Sequence, residues 1–277
     1  MGVGLITLQE AADELGVHYM TAYRYVRTGR LHAVKDGAEW RVDPADLRSL
    51  QVGRRPSTTN GATRESRWTA DPGRLAGRLV AGDEPGSWQL LEDALTAGAS
   101  PEAVYTDLLV PAMAQVGDRW AAGTVTVAEE HTATVTVQRL TGRLGPRFRR
   151  PGRKRGTIVL GAAPGDHHGL AVGLLADPLR GRGFRVTDLG ADVPVEAWLD
   201  AARGAERLRA IGISVVAAGL DAVVAGTVAA LHEAVDVPVI LGGGALRDAD
   251  HATALEADGW APSHTEALDL FERLARD

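Results

Sequence analysis

Between Thr157 and Ala261 short apolar runs alternate with amphipathic stretches, and that rhythm constrains the fold more than any other feature of the chain. The runs are 157–160, 184–189, 210–216, 238–241 and 259–261, separated by stretches of helical spacing such as 169–182 and 220–235. A strand–helix–strand repeat of this kind predicts a five-stranded, doubly wound parallel sheet, an α/β architecture whose ligand sits beyond the C-terminal ends of its strands. The 33 glycines and an aromatic content of only 5% suit helices packed closely on such a sheet, because small residues let backbones approach.

Two polar stretches divide the rest. Residues 52–66 (VGRRPSTTNGATRES) are rich in Gly, Ser, Thr and Asn and read as a linker. Residues 145–155 (GPRFRRPGRKR) combine two prolines, two glycines and a basic cluster, and read as a shorter hinge. The expected domains are therefore 1–51, 67–146 and 156–277, with 52–66 as linker. In the first, Thr7-Leu8-Gln9-Glu10 is a capping box that starts a helix over 8–15, stopped by Gly16. A second helix fits 19–28, with Ala22, Tyr25 and Val26 spaced to face a core. The runs 31–34 and 39–42 flank the hairpin signal Asp36-Gly37, and Asp43-Pro44 starts a further helix. The middle segment shows no strand alternation. Its helical stretches 74–81, 87–97, 101–120 and 127–144, joined by short breaks, predict an all-α antiparallel four-helix bundle.

Composition removes several classes of function. No cysteine means no disulfides, Cys-ligated zinc, iron–sulfur clusters or thiol nucleophiles, and fits a cytoplasmic location. The start, MGVGLITLQEAADELG, has neither a basic n-region nor an apolar h-region, so no signal peptide is expected. No apolar run approaches ~18 residues without a charge, so no membrane span is expected. A net charge of −6 gives no whole-protein attraction to nucleic acid, and any DNA contact must come from a local patch.

The first strand end reads Gly161-Ala162-Ala163-Pro164-Gly165-Asp166-His167-His168-Gly169. Asp166-x-His168 places an imidazole over the ligand face with a carboxylate two residues behind it. A carboxylate that holds one ring N–H fixes the tautomer and raises the basicity of the other nitrogen, as in metal-bound histidine. By itself the pair fits a loop-ordering hydrogen bond or an acid/base pair as well as a metal ligand.

Three motifs at three strand ends extend the reading. From Asp166 the chain runs Asp-x-His, then Gly183-Phe184-Arg185-Val186-Thr187-Asp188-Leu189-Gly190, then Ser214-Val215-Val216, then Gly242-Gly243-Gly244. In this order and spacing it resembles the cobalamin-binding domain of methionine synthase, mutases and corrinoid proteins, an α/β flavodoxin-like (Rossmann-type) fold. The register of that resemblance selects His168 over His167. It implies that His168 binds cobalt from below after displacing the dimethylbenzimidazole base, that Asp166 hydrogen-bonds His168, and that Ser214, Gly242 and Gly243 line the slot for the displaced nucleotide tail. Glycines suit such a slot because a flat ring needs backbone nearby without Cβ atoms. Ala171 stands where the motif has glycine, and its methyl is expected to crowd the helix start; Val216 stands where it has leucine.

Residues 5–50 resemble the excisionase-like and MerR-like winged helix-turn-helix families, through the capped first helix, the Gly-Val turn, the Thr-x-Tyr-Arg helix and the basic hairpin ending in Trp-Arg. The resemblance implies a recognition helix in the major groove, with Tyr19, Thr21, Ala22 and Arg24 nearest the bases. Arg27, Arg30, Lys35 and Arg41 are expected on phosphates, which give affinity but little sequence readout. Residues 1–66 hold nine basic against eight acidic side chains, so one copy alone is expected to bind operator DNA weakly and a homo-oligomer, dimer or tetramer, is implied.

In the middle segment Trp120 is followed after nine residues by Glu130-His131. These residues could meet across the loop and roof a ligand; the alternative is a core Trp and a solvated pair. The arrangement resembles the cap of the CarH/LitR-type cobalamin photoreceptors, in which DNA-binding, four-helix and cobalamin-binding domains follow in this order. That resemblance implies a non-enzymatic regulator in which Trp120, Glu130 and His131 contact the upper ligand of 5′-deoxyadenosylcobalamin, with methylcobalamin as the alternative cofactor. Light would then release the operator. Ala121 departs from the family, which often has histidine after the Trp. A cobalamin sensor indifferent to light, a corrinoid methyl carrier and a flavodoxin-like acid/base catalyst are the rival expectations.

Overall fold

The computed structural model describes residues 5–14, 22, 26, 31, 33–36, 39–44, 46 and 68–274. The chain divides into two compact units, Met1–Arg64 and Glu65–Asp277.

In the first unit β1 (Ile6–Thr7) leads into α1 (Leu8–Glu14), and β2 (Ala33–Asp36) and β3 (Glu39–Val42) form a hairpin. The antiparallel sheet has the order β1-β3-β2, with Val42 opposite both Ile6 and Ala33. The capping box forms as expected: Thr7 N–H donates to the Glu10 carboxylate at 2.7 Å and Glu10 N–H donates to Thr7 Oγ1 at 3.2 Å. Leu8, Ala11, Ala12, Ala22, Leu31 and Val42 make a small buried core.

The second unit begins with helices. α2 (Pro72–Val80) and α3 (Glu84–Thr96) are each capped by an aspartate, Asp71 and Asp83, with proline in the first turn. The run 101–121, here α4, is not uniform. It opens as Pro101–Ala103, widens into a π-helical turn over Val104–Leu109 and continues as Val110–Ala121. The cause is Pro111, which lacks an N–H and whose ring would crowd the carbonyl four residues back; a wider turn relieves both. α5 (Val127–Leu144) starts on a second capping box, Thr126 with Glu129. These helices share a core of Leu75, Leu79, Leu91, Tyr105, Val137 and Leu140.

The remainder alternates as the sequence predicts: β4 (Thr157–Ala162), α6 (Leu170–Gly181), β5 (Arg185–Asp188), α7 (Val195–Gly204), β6 (Leu208–Ser214), α8 (Asp221–Ala234), β7 (Val239–Gly242), α9 (Ala249–Ala254), β8 (Gly259–Ala261) and α10 (His264–Leu274). All five strands are parallel in the order β5-β4-β6-β7-β8. Chain order reverses beside β4, so the β4 and β6 ends open a crevice at the C-terminal edge. One face packs Val159, Ile211 and Leu241 on Trp198, Val224 and Leu231; the other packs Ile158, Leu160 and Ile240 on Leu179, Phe184 and Phe271. At Gly212 a Cβ would lie 2.7 Å from the Phe271 ring, so glycine lets α10 sit close to the sheet.

The helical layer packs directly on α6. Tyr105 Oη donates to Asp177 Oδ2 at 2.7 Å, and Arg182 pairs with Glu102 at 2.7 Å. The stretch 145–155 is only partly the free hinge the sequence suggests. Gly145–Phe148 forms a 3₁₀ turn, and Phe148 is buried edge-on against Tyr105 with ring centres 5.0 Å apart.

Candidate functional site

The loop after β4 is built around Asp166, which is fully buried although it carries a carboxylate. Its cost of desolvation is met by four hydrogen bonds from two strand ends. Oδ1 accepts from the backbone N–H of His168 at 3.0 Å and lies 2.7 Å from His168 Nδ1. Oδ2 accepts from the N–H groups of Val216 at 2.6 Å and Ala217 at 3.2 Å, just beyond β6. Burial pushes the carboxyl pKa up, but the bonds from Val216, from the His168 ring and backbone, and from Ala217 together outweigh it and hold the group below the usual carboxylate range. Asp166 is thus ionised at neutral pH. In the neutral ring, an ionised acceptor at Nδ1 places the proton on that nitrogen and leaves Nε2 of His168 with its lone pair. His167, whose Nδ1 is 3.9 Å from Asp192 and whose side chain is 80% exposed, has no such clamp.

A cleft of about 850 Å³ lies above this loop. Its floor is the C-terminal edge of β4, β6 and β7, one flank is α6 with α10, and the other is α4 with α5. Of the residues singled out from sequence, Glu130, His131, His168, Ser214, Gly242 and Gly243 line it, and Asp166 sits behind His168. Glu130 Oε2 is 2.8 Å from His131 Nδ1, and Glu130 Oε1 accepts from Thr134 Oγ1 at 2.8 Å. Gly243 has φ +110°, and a Cβ there would lie 2.3 Å from the Val215 carbonyl oxygen, so the turn after β7 hugs the end of β6 only with glycine.

Some expectations change. Trp120 is 51% exposed near the end of α4 and does not line the cleft that Glu130 and His131 line. Val125, in the loop that follows, is only 3% exposed. Ala171 does not crowd the helix start; it is exposed and lines the cleft. At Val216 the backbone N–H holds Asp166, a role that any non-proline residue fills. Sequence reasoning missed His264 on the same cleft. Its Nε2–H donates to the Leu174 carbonyl at 3.0 Å, burial pushes its pKa down, and its Nδ1 has no hydrogen-bond partner among the described residues. No motif marks it. Its position at the first turn of α10 is the sole signal.

In the first unit Ala22 corrects the expectation of a base contact, because it is fully buried in the small core. Lys35 is exposed on β2, and Arg41 sits opposite Val34 on β3. Tyr19, Thr21, Arg24, Arg27 and Arg30 lie outside the described residues. No helix among the described residues is long and apolar enough to cross a membrane.

Comparison with known proteins agrees with this layout. Residues 5–51 match a helix-turn-helix domain family, and residues 73–144 and 156–269 match two B12 binding domain families. The chain is 35% identical over 196 residues to the HTH-type transcriptional repressor CarH of Myxococcus xanthus, covering 68% of this chain and 62% of that protein. It is 27% identical over 124 residues to trimethylamine corrinoid protein 1 of Methanosarcina acetivorans, covering 44% of this chain and 57% of that protein. The chain therefore spans about three fifths of the length of these relatives. The fold is that of the Methanosarcina barkeri monomethylamine corrinoid protein, with a TM-score of 0.61 at 23% identity over 71% of this chain and 94% of that one.

Proposed function

We propose, from the helix-turn-helix and B12 binding domain matches and the likeness to the repressor CarH, that the chain is a cobalamin-dependent transcriptional regulator that releases DNA on illumination. The observation that carries this reading is His168, held by a buried ionised Asp166 with Nε2 free, on a cleft between a helical layer and the sheet edge. The residues present fit a corrinoid. Gly243 lets the turn after β7 lie against the end of β6, where a Cβ would strike the Val215 carbonyl, and Ser214 Oγ and His264 Nδ1 are buried polar atoms with no hydrogen-bond partner among the described residues. His168 would take the cobalt, Ser214, Gly242 and Gly243 the nucleotide tail, and Glu130, His131 and Trp120 the upper ligand. When bound, 5′-deoxyadenosylcobalamin supplies a cobalt–carbon bond that visible light breaks.

The chain's own part is to hold two arrangements. With the upper side of the cleft filled, α4 and α5 stay seated, copies associate as dimer or tetramer, and paired heads grip the operator. With it vacated, α4 and α5 shift, the copies separate and the avidity of paired heads is lost. In this scheme 1–51 reads DNA as a winged helix-turn-helix, 52–66 links, 67–146 is a four-helix cap and 156–277 binds the cofactor. Ala121 and the half-exposed Trp120 favour a second reading, a cobalamin sensor indifferent to light. Operator affinity and oligomer size, measured with and without adenosylcobalamin, in the dark and after green light, separate the two. Loss of binding on illumination supports the light reading; values that respond to cobalamin alone select the sensor; values that respond to neither overturn both.

A further inference from the structure

The basic stretch 145–155 has no part in the site described above. It holds Arg147, Arg149, Arg150, Arg153, Lys154 and Arg155 with no acidic residue between them, in a chain whose net charge is −6. Both ends are pinned. Phe148 is buried against Tyr105 and against Gly181, where a Cβ would come within 2.7 Å of its ring. Arg155 pairs with Glu272 at 3.1 Å and lies 4.5 Å over the Phe184 ring. Between the pins the segment folds on itself, with Lys154 Nζ donating to the Arg150 carbonyl at 2.7 Å. Arg207 then reaches across from the start of β6, donating to the carbonyls of Lys154 at 3.2 Å and Arg155 at 3.4 Å. Arg147, Arg149, Arg150, Arg153 and Arg207 are exposed, Lys154 is half-buried, and none of the six has an ion-pair partner among the described residues.

The neighbouring carboxylates are already engaged: Glu102 with Arg182, Glu206 with Arg185 and Glu272 with Arg155. Asp107 shares a recess with Arg147 and Arg150 and offsets one charge. The result is a fixed, net-positive ridge at the N-terminal edge of the sheet, opposite the cleft.

From this we infer that the second unit has its own nucleic-acid contact, in which the ridge 147–154 with Arg207 sits on the phosphate backbone of duplex DNA. The inference rests on the reading of the protein as a DNA-binding regulator. Charge is the argument for this occupant. Residues 1–66, with nine basic against eight acidic side chains, offer little net positive charge for the phosphate backbone, and the ridge adds guanidinium groups suited to phosphate oxygens. Pinned ends reduce the ordering cost of binding. The ridge would strengthen binding to any sequence alike, leaving readout to the head.

The test uses the full-length, cobalamin-loaded protein in the dark and a random-sequence duplex of about four helical turns. Affinity is followed against salt for the wild type, for the ridge variant Arg149→Gln/Arg150→Gln/Arg153→Gln/Lys154→Gln and for the head variant Lys35→Gln. The ridge variant should bind at least about tenfold more weakly at low salt, with a log–log salt slope shallower by roughly 0.9 for each phosphate it no longer neutralises. Its bound-corrinoid spectrum and melting temperature should match the wild type, which shows that it is folded. An unchanged slope in the ridge variant beside a flattened slope in Lys35→Gln overturns the ridge and leaves the regulator reading standing. A wild type that ignores duplex overturns both. A greater loss on anionic vesicles or single-stranded RNA than on duplex overturns the assignment to DNA.

Discussion

Asp166 Oδ1 lies 2.7 Å from Nδ1 of His168 while the other oxygen of the same carboxylate is held by the end of β6. The imidazole is thereby fixed to two strand ends through one buried group. Asp166→Asn keeps the size and removes the charge. It should lower corrinoid affinity by roughly 10–100-fold, as loss of a group that orients a metal-binding histidine generally does, and destabilise the fold by about 1–3 kcal/mol through weakened hydrogen bonds. Titration of the loaded absorption spectrum and urea unfolding check the two effects separately.

The pH dependence of stability has a definite sign. Asp166 has a depressed pKa in the fold, so its contribution is present above the unfolded value of about 3.9 and is lost as pH falls through the folded one. His264 is also depressed, by burial. Its contribution is present above the unfolded value of about 6.5 and declines as acid protonates the unfolded chain first. Unfolding free energy measured from pH 8 downwards should therefore begin to fall near 6.5 and fall further below about 4. Replacing His264 by Phe should remove the first decline and keep the second.

Two adjacent glycines make an internal control. Gly243→Ala places a methyl 2.3 Å from the Val215 carbonyl oxygen at a positive φ and should cost upwards of about 2 kcal/mol. At Gly244 a Cβ meets nothing within 4 Å, and Gly244→Ala should change the melting temperature little. Equal melting temperatures for the two variants would contradict the close approach of the turn after β7 to β6.

Tyr105 and Asp177 join the helical layer to α6. Tyr105→Phe leaves Asp177 Oδ2 without its donor while Arg180 still pairs with Oδ1 at 2.8 Å. A loss of about 1–3 kcal/mol is expected from a buried acceptor left unpaired. Urea denaturation of the full chain measures it.

Trp120 separates stability from ligand response. Half-exposed and outside the cleft lining, it should contribute less than about 0.5 kcal/mol to the cofactor-free fold. Under the proposed role, Trp120→Ala weakens binding of adenosylcobalamin more than that of hydroxocobalamin. Calorimetry with the two corrinoids reads this difference.

The sequence carried the sheet well because β4 and β7, buried within it, are short and largely apolar runs, and Thr7 with Glu10 announced the first helix by a local rule. The Asp166–His168 pair was legible because its two members are two residues apart. What was not legible is what arises between distant segments. The partners of Asp166 at Val216 and Ala217 are backbone groups, without a residue signature. Tyr105 with Asp177 spans 72 positions, and His264 reaches the cleft only because α10 packs beside α6. Ala22 was spaced both for the core and for DNA, and burial decides for the core.

The most direct test of the central claim is the absorption spectrum of the protein loaded with adenosylcobalamin in the dark and again after green light, for the wild type and His168→Ala. The wild type should show a histidine-bound, base-displaced corrinoid that changes on illumination. His168→Ala should bind weakly or show a spectrum without that ligand. A variant spectrum and affinity identical to the wild type, or a wild-type corrinoid with its own base still on cobalt, would contradict the account.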